Sequence, residues 1–103
     1  MITLKEGHRY ELANFESPEA RGQEIQFIEK LPVPNSTDLE TISDGTTNEE
    51  VLMMLIDRMK YLQGKFGCRE NAIVITKLEE SLMWLNHRTA DRQKRNTEGK
   101  HEA

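Results

Sequence analysis

Two arginines, Arg88 and Arg92, stand four residues apart in the segment ITKLEESLMWLNHRTADRQKRNTEGKH. On a helix that spacing is one turn, so both guanidinium groups can face the same way. Each fork can grip a pair of phosphate oxygens, and together they match a pyrophosphate better than two lysines would. The plainer alternative is that cations near a helix C-terminus complement its dipole, with Asp91 and Glu98 neutralising them locally. Asn71 can read a base edge with its amide, or only cap and solvate the start of a helix. Tyr61 can stack on a purine or cover a sheet. Trp84, one turn before Arg88, reads as core or interface rather than as a stacking platform.

Catalytic patterns are largely missing. The chain has no P-loop, no Gly-x-Ser-x-Gly and no CxxC. His8, His87 and His101 lack ligand spacing with Cys68, so neither a metal site nor any other cofactor is expected. Cys68 reads as a small, semi-buried turn residue rather than a nucleophile. Glu79 and Glu80 read as a solvated helix face, with Glu79 also able to pair on the Lys77 side. Asp57 and Lys60, three residues apart, read as a surface ion pair.

Charge is distributed unevenly. Residues 1–87 hold nine Lys/Arg against fifteen Asp/Glu (−6), and residues 88–103 hold five against three (+2). Positive charge at one end of an acidic chain suits a small anionic partner better than a long polyanion. The acidic balance also argues against general affinity for DNA. With 103 residues, 36% hydrophobic and 31% charged, one domain with a thin core is expected. No apolar run approaches membrane-spanning length, and the polar start MITLKEGHRYEL leads to no expectation of a signal peptide. A single cysteine cannot form an internal disulfide, which makes a reducing cytoplasm the default.

The elements that must position these residues fall into two halves. Residues 1–45 read as β, with strands at 8–15 and 23–31 joined by a loop containing Pro18 and Gly22. Pro32 and Pro34 end the second strand, a short third strand spans Leu39 to Ile42, and Asp44-Gly45 makes a turn. So small an antiparallel sheet must lie against helices or another chain.

Residues 46–103 read as a helical hairpin with a basic tail. Thr46 with Glu49, or Thr47 with Glu50, forms a capping box. Leu52, Leu55, Ile56, Met59 and Leu62 make one apolar stripe. Gly64 and Gly67 bracket a turn. The second helix begins near Arg69 or Glu70 and runs past Arg88, with Ala72, Ile75, Leu78, Leu82 and Leu85 as its seam. Five methionines, three of them in the first helix, suit an adaptable packing surface. The polar tail after Arg95 is expected to fray unless a partner orders it. The expected class is α+β in one compact domain.

The blocks NEEVL…LIDR, CREN and KLEE-x-L-x-WL-x-x-RT-x-DR, with an upstream HRYELANFE and a downstream EGKH, resemble a phage family. It is the first-described family of proteins that counter Thoeris immunity. That family shares its hairpin domain with anti-CBASS sponge proteins. The resemblance covers roughly residues 8–101. It implies a non-enzymatic sponge acting in the cytoplasm of the infected host, which sequesters cyclic nucleotide signals without cleaving them. The implied ligands are glycocyclic ADP-ribose isomers and, in related members, cyclic di- or trinucleotides. The implied assembly is a homo-oligomer, commonly a hexamer built from dimers. Carried over residue by residue, the ligand site is Tyr61, Asn71, Arg88 and Arg92. The EGKH segment, with Arg95, Gly99 and His101, resembles a region of a second site for cyclic trinucleotides. Here the chain departs from the family pattern, reading RNTEGKH. Gly67 stands where the family has proline, a change expected to loosen the hairpin turn.

Helix geometry adds a constraint. Asn71 and Arg88 are seventeen residues apart, or about 25 Å along one helix. A cyclic nucleotide, about 10 Å across, fits an ordinary pocket and cannot bridge that gap. Two chains packed antiparallel can share the work, giving two equivalent pockets at a two-fold interface. Two other functions compete on the residues alone: a small phage nucleic-acid-binding regulator, and an adaptor whose hairpin only oligomerises.

Overall fold

The structure is a computed structural model, and it describes residues 1–96. The chain forms two compact units, Met1–Thr47 and Asn48–Ala103.

The first unit holds two small antiparallel sheets rather than one. Strand β1 (Ile2–Lys5) pairs with β2 (Arg9–Leu12), which pairs with β3 (Gln23–Gln26). Strand β4 (Glu29–Pro32) pairs with β5 (Leu39–Ser43). The first strand was not anticipated. All four of its residues are exposed, so it carries no inside-outside alternation to betray it. It is joined to β2 by a tight turn in which Gly7 takes a positive φ of 76° and the His8 amide donates to the Lys5 carbonyl at 3.0 Å.

The strand expected at 23–31 is broken after Gln26, because the chain changes partners there. The Phe27 amide donates to the His8 carbonyl at 2.7 Å, whereas the next amide, that of Ile28, donates to Thr46 at 2.9 Å. Thr46 in turn donates its own amide to Gln26 at 2.8 Å. Gly45 makes this closure possible. A Cβ at that position would lie 2.4 Å from the Gln26 carbonyl oxygen, so only glycine lets the two backbones approach.

The second unit is the expected helical hairpin. Helix α1 (Asn48–Lys65) and helix α2 (Arg69–Asn96) have 18 and 28 residues, or about 27 and 42 Å. Thr46 is held by the β-sheet backbone, so Thr47 takes the N-cap position of α1 and Glu50 its third helical position, where a capping box needs them. Gly64 lies inside α1 rather than at the turn, which occupies residues 66–68.

The covered seam alternates by three and four residues, Leu52, Ile56, Met59 and Gln63 on α1 (with Leu62 beside it, half-buried as expected) and Asn71, Ile75, Leu78, Leu82 and Leu85 on α2. Two assignments shift. Leu55 and Ala72 are exposed, and counting back from Ile75 by four brings Asn71, not Ala72, onto the inner face. Among the described residues Ile56 is the one buried hydrophobic side chain. Met53, Met83 and Trp84 remain exposed, so the hairpin hides little apolar surface by itself.

Candidate functional site

The turn of the hairpin is built by side chains as much as by backbone. Gln63, in the last turns of α1, uses its amide twice: its Oε1 accepts the Cys68 amide at 3.0 Å and its Nε2 donates to the Cys68 carbonyl at 3.0 Å. Cys68 is exposed, not semi-buried, and it is the N-cap of α2. Its carbonyl accepts the Ala72 amide at 3.2 Å, and its Sγ accepts the Asn71 amide at 3.4 Å. A thiol therefore stands where serine or aspartate is usual, as a weak acceptor.

This settles the geometry of Asn71. It is not the cap; it is the third helical residue, and its own backbone amide is the one capped. Its side chain is half-buried on the seam and makes no hydrogen bond among the described residues. Tyr61, 58% exposed, stands near the same end, with the Lys65 ammonium over its ring at 5.4 Å from the centroid. Tyr61 and Asn71 therefore share the turn end of the hairpin.

Arg88 and Arg92 occupy the other end. With the turn centred on Gly67, Asn48 lies level with about residue 86, so about ten residues of α2, or about 15 Å, project past α1. Arg88 is exposed and Arg92 half-buried on this projection. Asp91 does not neutralise them. It pairs with Arg95 at 3.4 Å, and among the described residues neither Arg88 nor Arg92 has a carboxylate partner. Trp84 is 64% exposed, with the edge of one ring toward the face of the other in a pair with His87 at 5.8 Å. It is not core. Glu98, the other expected neutralising group, lies outside the described residues, as do Gly99 and His101.

Between the two ends an open groove of about 660 Å³ runs along the helices, lined in part by Met53, Ile56, Leu82 and Met83. The Lys60 ammonium and the Glu79 carboxylate meet there at 3.2 Å, tying α1 to α2. Lys60 thus pairs across the hairpin rather than with Asp57, and Glu80 pairs with Lys77 at 3.9 Å. None of the four candidate ligand residues lines this groove. The chain places Tyr61 and Asn71 toward the turn end of the hairpin, and Arg88 and Arg92 one helical turn apart toward the other end, so the two pairs stand apart. Among the described residues no group of three His, Cys, Asp or Glu side chains is arranged to hold a metal ion, and no helix is long and apolar enough to cross a membrane.

The family model described as Acb2/Tad1, hairpin domain, matches residues 20–90. This chain belongs to that family. The match takes in both helices up to Arg88, including Tyr61 and Asn71, and stops just short of Arg92. A relative, Thoeris anti-defense 1 of Bacillus phage SBSphiJ7, is 56% identical over 61 residues, which is 58% of this chain and 43% of that protein. The matched stretch is thus less than half the length of that relative.

Residue spacing alone did not single out Gln63, Lys65 or the capping role of the Cys68 thiol. The Cys68-to-Asn71 spacing of three is the one trace that capping leaves in the sequence.

Proposed function

We propose that this protein is a phage anti-defence sponge. It captures a cyclic nucleotide immune signal, holds it intact and so blunts Thoeris defence in the cytoplasm of the infected bacterium. The observation that carries this is the family match over residues 20–90, with a relative named for Thoeris anti-defence. The preferred ligands are glycocyclic ADP-ribose isomers. Cyclic di- and trinucleotides, the signals of CBASS defence, form the second group.

The chain's own residues suit such a ligand. Arg88 and Arg92, without carboxylate partners among the described residues, are available to a pyrophosphate through charge-assisted bonds. The half-buried Asn71 amide can hydrogen-bond a base edge, and Tyr61 can stack on its face. Burial of the ligand between protomers strengthens both interactions by removing water. No bond is made or broken, so inhibition follows from affinity and protein copy number alone.

Because one chain holds these groups about 25 Å apart, the working pocket is shared. The turn end of one protomer meets the projecting end of its partner, with two pockets per dimer and dimers assembling further into a hexamer. The exposed Met53, Met83 and Trp84 favour such burial.

Calorimetry with cyclic ADP-ribose isomers and cyclic di- and trinucleotides tests the proposal, followed by denaturation and mass analysis of the ligand. Tight binding with intact ligand released is expected. Hydrolysed product would make the protein an enzyme, and indifference to the whole panel would remove the proposal.

A further inference from the structure

The geometry points to Gln63 as a positioning residue for the turn end of the ligand site, an inference that rests on the proposed function and deepens it. Tyr61 belongs to α1 and Asn71 to α2, so their relation depends on the three residues between the helices. That turn contains Gly67, which gives the backbone no stiffness of its own. Gln63 supplies the missing constraint. Its side-chain amide pairs with the backbone amide and carbonyl of Cys68 at 3.0 Å each, closing a two-point clamp from α1 to the first residue ahead of α2.

The clamp continues toward the site. Cys68, held by Gln63, offers its carbonyl to Ala72 and its Sγ to the amide of Asn71. Gln63 thus fixes the start of α2 and, with it, the residue proposed to read the base. A side chain at residue 67 would crowd the Gln63 backbone carbonyl and leave the clamp itself in ordinary contact. A Cβ there would stand 3.3 Å from the Gln63 carbonyl oxygen and 3.8 Å from the Gln63 side-chain amide. The expected loosening of the turn at Gly67 is therefore met by a side chain rather than by a rigid backbone. Gln63 touches no ligand; it acts by setting where Asn71 stands relative to Tyr61.

The test uses Gln63→Met, which keeps the length and much of the packing of the side chain and removes both hydrogen bonds. Binding of a cyclic ADP-ribose isomer is measured by calorimetry on the full chain for the wild type and five variants: Gln63→Met, Asn71→Ala, Arg92→Ala, Gln63→Met/Asn71→Ala and Gln63→Met/Arg92→Ala. Gln63→Met should weaken binding about tenfold, the scale of one or two neutral hydrogen bonds. It should add almost nothing once Asn71 is alanine, and should keep its full effect when Arg92 is alanine. An equal loss in both backgrounds, or no loss at all, overturns the inference.

Amide exchange gives a readout that needs no ligand. The amides of Cys68 and Asn71 should exchange faster in Gln63→Met while those of mid-helix residues stay protected. Unchanged protection at Cys68 refutes the clamp. A wild-type chain that captures no cyclic nucleotide, with the exchange result as expected, sinks the proposed function and the binding half of this inference, and leaves the clamp itself supported.

Discussion

Asn71 and Arg88 lie on the same helix, seventeen residues and about 25 Å apart, one at the turn of the hairpin and the other beyond the end of its partner helix. No bending of a single chain brings them to one small ligand. A shared pocket makes a prediction that a one-chain site does not. A mixed dimer of an Asn71→Ala chain with an Arg88→Ala/Arg92→Ala chain should retain one intact pocket, while each parent homodimer has none. Co-expression with two different tags, purification of the mixed species and calorimetric stoichiometry read this directly. Half the wild-type ligand count is the expected result.

The two arginines should differ from lysines in what they can do. If each guanidinium makes charge-assisted bonds to a phosphate, its removal costs about 1.5–3 kcal/mol, a loss of about 10- to 100-fold in affinity. Arg92→Ala should show that loss. Arg92→Lys should recover only part of it, because an ammonium keeps the charge and loses the planar fork. Neither change should alter thermal stability much, since neither arginine has a carboxylate partner among the described residues. An adaptor role would instead leave both variants fully active in protecting phage.

The hairpin was legible because its helices are long and most of its seam is apolar. Ile75, Leu78, Leu82 and Leu85 recur at helical spacing, and Thr47 with Glu50 announces the start of α1. The first strand was not legible, since Ile2 to Lys5 is exposed throughout and gains its structure from pairing with β2. The break at Phe27 was equally hidden. Local alternation runs straight through it, and only a distant partner, Thr46, diverts the chain. The arginine pair could be found by its spacing. The Gln63 clamp could not, because it joins a side chain to backbone groups five residues on and exists only once the turn has formed.

The Lys60–Glu79 pair offers a measure of how tightly the helices are tied. Both side chains are about half exposed, so solvent screening keeps the pair weak, about 0.2–1 kcal/mol. A double-mutant cycle using Lys60→Met and Glu79→Gln, followed by urea unfolding, should return a coupling in that range. The reversed pair, Lys60→Glu with Glu79→Lys, should restore most of what either reversal alone removes. High salt should erase the coupling.

Acid should weaken the β unit through Glu29. Glu29 is the one buried charged residue among those described, and Lys5 donates to its carboxylate, joining β4 to β1 and so the two small sheets. That hydrogen bond, aided by the positive charges of Lys5 and His8 and opposed by desolvation, holds the Glu29 carboxyl below its ordinary value of 4.5. A carboxyl that ionises more readily in the folded chain contributes stability that is complete above the unfolded value. The contribution is lost as pH falls through the lower, folded one. Stability toward urea should therefore be level from neutral pH down to about 5 as far as this group is concerned, then fall through the acid range. Lys5→Met should lower stability at pH 7 and flatten the acid limb, because the shift it removes is the source of that limb. Equal acid sensitivity in wild type and Lys5→Met would show that other carboxylates control it.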